Sequence, residues 1–64
     1  MKRYKVKQVV SLLKRRGWIL LRTRGDHRQF VNPKHHGTVT IAGKDSDTLS
    51  QELLNSIWKQ AGWK

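Results

Sequence analysis

The chain has 64 residues, the length of one small domain, and about 60% of the surface of an unfolded chain of this size is buried on folding. It has no cysteine, which excludes a disulfide framework and a thiolate zinc site, so the stability of the fold must come from packing. Fourteen Lys and Arg against four Asp and Glu give a formal net charge of +10, which predicts a polyanionic partner such as nucleic acid.

The positive charge is concentrated in the first half of the chain, where ten of the fourteen basic residues lie at or before Arg28. Asp26 is the only acidic residue before Asp45. A solvated surface that keeps a small protein in solution is the simpler explanation of this charge. Binding to an anionic membrane would require a basic helix with a strong apolar face.

The sequence has no apolar run of the roughly 20 residues that span a bilayer and no apolar signal core, so we expect a cytoplasmic protein with one domain over residues 1–64.

Residues 5–16 predict the first helix, because four apolar residues recur with the i, i+3, i+4, i+7 spacing of one helical face. These residues are Val6, Val9, Val10 and Leu13. Basic residues follow in the last turn, where they suit the helix dipole, and Gly17 is a plausible C-cap.

Residues 18–24 and 27–32 predict two strands, and Gly25-Asp26 between them fits a two-residue type II′ hairpin turn with glycine at its first central position. Counting from this turn places Arg24 opposite His27, and Arg22 opposite Gln29. Because strand side chains alternate between faces, these four polar residues share one side of the hairpin.

The same register places Leu21 opposite Phe30 and Leu20 opposite Val31. It therefore predicts that Ile19, Leu21 and Phe30 face the core. Leu20 and Val31 then lie on the polar side.

Residues 32–37 predict a loop, residues 38–41 a third strand, and residues 42–49 a charged loop. Ser50 fits the N-cap of a second helix that ends near Ala61. Its apolar stripe consists of Leu54, Ile57, Trp58 and Ala61, supported by Leu53. The predicted fold is α+β in the order α-β-β-β-α, a three-stranded antiparallel sheet with both helices on one face and the other face open.

Three histidines are the side chains that titrate nearest neutral pH. His35 and His36 are adjacent in the predicted loop and have no companion ligands, so no metal site is expected. His27 lies beside arginines on the open face. An imidazole can move the proton of a ribose 2′-hydroxyl and guanidinium groups can stabilise charge on the phosphorus, but a solvated histidine would fit the same spacing.

Five cations are candidate contacts to RNA phosphates, although each could equally be ordinary solvated charge. They are Arg22, Arg24, Arg28, Lys34 and Lys44. Strict alternation points Arg28 toward the helix side of the sheet. Trp18 and Trp63 are candidate platforms for base stacking, whereas the helical spacing of Trp58 favours a place in the core.

Three stretches of the chain form a distinctive combination: a basic helix running into Gly17-Trp18, GDHRQF at residues 25–30, and SIWKQAG at residues 56–62. In this order and spacing they resemble the HicA (YcfA-like) toxins of bacterial and archaeal toxin-antitoxin modules over nearly the whole chain. The corresponding family segments are a helix followed by Gly and an aromatic residue, Gly-Ser-His-x-x-Phe, and Ser-Ile-Leu-Lys-Gln-Ala-Gly.

The resemblance implies a fold like that of a double-stranded RNA-binding domain, cleavage of mRNA that inhibits translation and growth, and neutralisation by a HicB-type antitoxin. It maps the catalytic histidine of the family onto His27 and implies no metal or small-molecule cofactor. The sequence departs from the family pattern at Asp26, where Ser is usual, and at Lys44, where many members carry a further histidine. It also lacks the usual Pro-Gly-Thr entry to the second helix.

Two other functions remain open. A non-catalytic RNA-binding module would use the same charge, although binders of similar fold usually carry a Lys cluster at the start of the last helix, where this chain has Ser50-Gln51-Glu52. A protein that chiefly binds an acidic partner would use the same basic face together with Trp18, Leu20 and Val31.

Overall fold

A computed structural model describes residues 3–63 of the protein. The elements in chain order are β1 (Tyr4–Lys5), α1 (Val6–Arg15), β2 (Ile19–Arg24), β3 (His27–Asn32), β4 (His35–Ala42), β5 (Thr48–Leu49) and α2 (Gln51–Gln60). Strands β2, β3 and β4 form an antiparallel sheet in that order, and β1 pairs with β5 in a separate two-stranded sheet. The α+β class and the α-β-β-β-α order are confirmed. Within residues 3–63, no helix is long and apolar enough to cross a membrane.

The core lies between the two helices and one face of the three-stranded sheet. Its fully or almost fully buried members are Val6, Val9, Val10, Leu13, Trp18, Phe30, Val39, Ile41, Leu49, Leu54, Ile57 and Ala61. The apolar stripe of α1 and most of that of α2 are therefore buried as predicted, while Leu53 is 50% exposed and does not support the core. Burying one such aliphatic side chain contributes about 1.5–3 kcal/mol.

The short pair of β1 and β5 was not predicted, because strands of two residues carry no periodic signal. Tyr4 lies opposite Leu49, and Lys5 lies opposite Thr48. This pairing ties the start of α1 to the start of α2.

Both helices end in a Schellman motif, which explains where two of the tryptophans lie. At the end of α1, Gly17 has φ +90°, its N–H donates to the Lys14 carbonyl, and the Trp18 N–H donates to the Leu13 carbonyl at 3.0 Å. At the end of α2, the Trp63 N–H donates in the same way to the Trp58 carbonyl at 2.7 Å.

A β-bulge in β2 overturns part of the predicted hairpin register. Arg24 pairs with His27 and Arg22 with Gln29 as predicted, but the register then shifts, so that Leu20 lies opposite Phe30 and Ile19 opposite Val31. The extra residue at the bulge is Leu21. The faces predicted for Ile19 and Leu20 are consequently exchanged.

The prediction that Ile19 and Leu21 are core residues is wrong. They are 56% and 51% exposed, and Leu20 is 43% exposed. Strand β2 is an outer strand of the sheet, and all six of its residues are exposed. The physical reason is that this edge of the sheet extends beyond the cover of the helices.

The predicted loop at residues 32–37 is also wrong, because only Pro33 and Lys34 form the turn and β4 begins at His35. Asn32 makes this tight connection possible. Its side chain is buried, its Oδ1 accepts from the Lys34 N–H at 3.0 Å, and its Nδ2 donates to the Arg16 carbonyl at 3.0 Å. One side chain thus closes the β3–β4 turn and satisfies a carbonyl at the end of α1.

Candidate functional site

The β2–β3 turn sets the position of the candidate site at one end of the sheet. Gly25 has φ +57°, whereas the φ of Asp26 is not positive, since among the described residues only glycines have a positive φ. A type II′ turn requires this combination at its two central residues. The Gly43 N–H donates to the Asp26 carbonyl at 3.0 Å, which ties the turn to the segment after β4. The site is therefore held by backbone contacts on both sides of β3.

His27 is the first residue of β3, and its imidazole is paired with the neighbouring carboxylate. The Nδ1 atom of His27 lies 3.0 Å from Oδ1 of Asp26, and both side chains are 59% exposed. A proton on Nδ1 that is donated to this carboxylate leaves the lone pair of the neutral ring on Nε2. In this tautomer Nε2 is the nitrogen able to accept a proton.

Two arginines lie beside His27 on the face of the sheet away from the helices. Arg24 is the direct cross-strand neighbour of His27, and Arg22 lies opposite Gln29, the next residue of β3 on that face. Directly opposed strand residues have Cβ atoms about 4.5–5.5 Å apart, so an anion held against His27 is within reach of Arg24. Arg22 and Arg24 are both exposed.

The other predicted phosphate contacts are distributed over the molecule. Lys44 follows Gly43, so its backbone lies near the Asp26 end of the site, where its N–H donates to Oδ2 of Asp47 at 3.0 Å. Lys34 lies in the β3–β4 turn at the opposite end of β3, about 20 Å from His27 at roughly 3.3 Å per residue.

Arg28 points to the helix side of the sheet, as alternation predicted. Its cross-strand neighbour is the buried Ile41, and its Nη2 lies 2.7 Å from Oδ1 of Asp45. Arg28 is therefore on the other face of the sheet from the imidazole of His27.

The tryptophans are packed rather than presented for stacking. Trp18 is 2% exposed and stacks on His35 with ring centroids 5.4 Å apart, so neither of the surface roles considered for it from the sequence is available to it. Trp63 is half-buried against Trp58 at 5.2 Å, and Arg16 lies over its ring. The Gly-Trp pair after each predicted helix was the sequence signal for these positions, since the residue after a Schellman glycine packs back on the helix.

Sequence reasoning found two further features of the site only in part. It placed Asp26 beside His27 but did not show that the carboxylate contacts Nδ1, and it expected Leu20 on the open side but not the exposure of Ile19 and Leu21. Among residues 3–63, no group of three or more His, Cys, Asp or Glu side chains is placed to hold a metal ion.

Fold and site together define a class of small, strongly basic α+β proteins in which a three-stranded sheet covers two helices on one side and presents a histidine among arginines on the other. The chain belongs to the HicA toxin family of bacterial toxin-antitoxin systems, whose family model matches residues 6–63. The comparison with curated proteins gave no match. The protein is therefore a toxin of a toxin-antitoxin system.

Proposed function

We propose that the protein is an endoribonuclease that cleaves mRNA with His27 as the catalytic residue and that it thereby inhibits translation and growth. The single observation that supports this best is the placement of an exposed imidazole, already oriented by a carboxylate, beside two exposed arginines on an uncovered sheet face. Membership of the toxin family supports the same assignment.

The proposed reaction is attack of a ribose 2′-hydroxyl on the adjacent phosphodiester. Nε2 of His27 accepts the 2′-hydroxyl proton while the 2′-oxygen bonds to phosphorus, and the 5′-oxygen of the next nucleotide leaves and takes a proton from water. The hydroxide so formed takes the proton from Nε2, which returns His27 to its neutral form. The products are a 2′,3′-cyclic phosphate and a 5′-hydroxyl. The reaction as proposed requires no metal ion or small-molecule cofactor.

Arg24 and Arg22 are the proposed contacts to the reacting phosphate. Charge increases on the non-bridging oxygens as the fifth bond to phosphorus forms, and guanidinium groups positioned beforehand stabilise that charge more than they stabilise the substrate. Lys44 is a third proposed contact, at the same end of the sheet. Lys34 and Arg28 are proposed contacts to more distant parts of the RNA.

Asp26 is a positioning residue in this proposal. Its carboxylate accepts from Nδ1 of His27 and so selects the ring nitrogen that faces the substrate. It occupies the position at which the family usually has Ser.

The proposed protein partner is an acidic antitoxin of the HicB type. The outer strand β2 supports this, because its three exposed apolar side chains adjoin Arg22 and Arg24 in the same strand. An exposed apolar row on an unpaired edge strand is a common site of protein association, and the flanking arginines favour an acidic partner. Such a partner would cover the arginines of the proposed active site.

The catalytic proposal is tested by incubating RNA in EDTA with the wild type and with His27→Ala. We expect His27→Ala to lower the rate by about 10²- to 10⁴-fold, as the loss of a general base does. His36→Ala is the matched control, since His36 is also an exposed strand histidine, and it should leave the rate nearly unchanged. RNA with 2′-O-methyl riboses should resist cleavage.

Equal cleavage by wild type and His27→Ala would remove the catalytic role. Tight, salt-sensitive binding to RNA that stays intact with the wild type would instead support the non-catalytic RNA-binding module. Induction of wild type and His27→Ala in cells, followed by analysis of mRNA, extends the same comparison to growth.

A further inference from the structure

A second basic surface lies on the helix side of the sheet, in a shallow groove between α1 and the start of β3. We call it the α1 groove. It is lined by Lys7, Lys14 and Arg15 of α1 and by the ion pair of Arg28 and Asp45. None of the three α1 cations belongs to the site described above.

The cations of α1 in this groove are not compensated by acidic neighbours. Asp45 is the one carboxylate among the described residues that line the groove, and its Oδ1 is paired with Arg28 at 2.7 Å. The backbone carbonyl of Asp45 also accepts from the Lys7 N–H at 3.2 Å, which fixes this wall of the groove against the helix. Three cations are thus aligned along a rigid helix with no anion of their own.

The position of Lys7 argues that this charge has a use other than stability. It lies in the first turn of α1, which contains no acidic residue, and a cation there opposes the helix dipole. Lys14 and Arg15 lie in the last turn, where cations suit the helix dipole, and they add like charge farther along the same groove. Lys7 is therefore the one of the three cations whose place in the helix is unfavourable, and a bound anion would offset that cost.

We propose that the α1 groove binds the sugar-phosphate backbone of the RNA on which His27 acts, as a second contact region on the opposite face of the sheet. This rests on the proposed function. Arg28 follows His27 directly in β3 but points into the groove, so the two regions meet at the same end of the sheet. Bound RNA passes around the Gly25-Asp26 turn from one region to the other.

The chemistry of the groove favours a nucleic-acid backbone over a membrane or a protein. The core face of α1 is buried, and the half-buried Leu12 does not line the groove, so the groove offers no apolar side chain to insert into a bilayer. Val10, the apolar residue at the floor of the groove, is only 9% exposed, which leaves no apolar anchor for a protein partner. The groove therefore presents a row of cations and almost no accessible apolar surface, which suits a linear chain of phosphates.

The test measures binding of a fluorescent oligouridylate of about 20 nucleotides by anisotropy, with His27→Ala in every variant so that the RNA stays intact. We expect Lys7→Gln with Lys14→Gln to weaken binding and to reduce the salt slope of the logarithm of the binding constant by about 1.4, at about 0.7 per lost contact to a single strand. The affinity of the His27→Ala parent should accordingly fall about sevenfold more than that of the groove variant between about 50 and about 200 mM salt.

The matched control is Arg3→Gln with Lys59→Gln, which removes the same charge outside the α1 groove. This control should change the salt slope of binding by less than half as much as the groove variant, Lys7→Gln with Lys14→Gln, does. A uridylate of about four nucleotides reaches only one region at a time, so the groove variant should lose less affinity for it, relative to the parent, than for the long RNA. Circular dichroism should show that both variants fold, since glutamine is a good helix former.

Equal effects of the two double variants would overturn the proposal, because they would show a general field rather than a site. Loss of binding to phosphatidylserine vesicles with unchanged affinity for the long RNA would overturn it in favour of a membrane surface. Failure of the wild type to cleave RNA would sink the proposed function but leave the binding comparison intact, so the two failures are distinguishable.

Discussion

Asn32→Ala tests how the fold holds the strand that carries His27. Asn32 is 6% exposed, and its side chain makes two hydrogen bonds of 3.0 Å, one to the Arg16 carbonyl and one from the Lys34 N–H. Removing the amide leaves a helix-terminal carbonyl and a turn N–H without their partner. The β3–β4 turn and the end of α1 are then no longer linked.

The expected cost follows from these two bonds. Each contributes a net of about 1 kcal/mol to folding, so the free energy of unfolding should fall by about 2 kcal/mol. A core of this size rarely supplies more than about 3–5 kcal/mol, so the loss is a large part of the total. At about 4–8 °C per kcal/mol for a small domain, Tm should fall by about 8–16 °C.

The assay is thermal unfolding followed by circular dichroism, with Asn55→Ala as the control. Asn55 is exposed on α2, and alanine there should not lower Tm, because alanine has the higher helix propensity. At temperatures where Asn32→Ala is folded, its rate of RNA cleavage should match that of the wild type. A Tm for Asn32→Ala equal to that of the control would refute the reasoning.

Three further predictions concern the proposed site and its edge. Asp26→Asn should lower kcat of RNA cleavage about tenfold with little change in KM, because the amide orients the imidazole less well than the carboxylate; a change confined to KM would contradict a positioning role. Arg24→Gln should lower kcat/KM more on a short RNA than Lys34→Gln does, since Lys34 lies at the far end of β3, and comparable losses would count against the site as drawn. Ile19→Thr with Leu21→Thr should leave Tm within a few degrees of the wild type but weaken capture by a co-expressed acidic antitoxin; a large fall in Tm would mean that these side chains belong to the core.

The local elements of the fold could be predicted because their signals lie in adjacent residues. The stripe of Val6, Val9 and Leu13 defines α1, and Ser50 accepts from the Leu53 N–H at 3.2 Å as an N-cap does. The Gly25-Asp26 turn fixed the pairing of Arg24 with His27, so the central part of the candidate site followed from counting.

Features that depend on distant parts of the chain could not be predicted in this way. The loop expected at residues 32–37 is a tight turn because Asn32 bonds to the end of α1, sixteen residues away. Strand β1 exists only because β5 lies beside it, more than forty residues later. Composition carried no signal for either contact.

For this protein the sequence alone determined the element order, the main helical core, the turn at Gly25-Asp26 and the charge, because periodicity, capping and turn chemistry act over a few residues. The tertiary structure decided which apolar residues are buried. A bulge at Leu21 exchanged the faces of Ile19 and Leu20, and the edge position of β2 left all three exposed. Alternation placed Arg28 on the helix side of the sheet, but only the tertiary structure decided its pair with Asp45, since ion pairing is settled by elements that meet only in the folded chain.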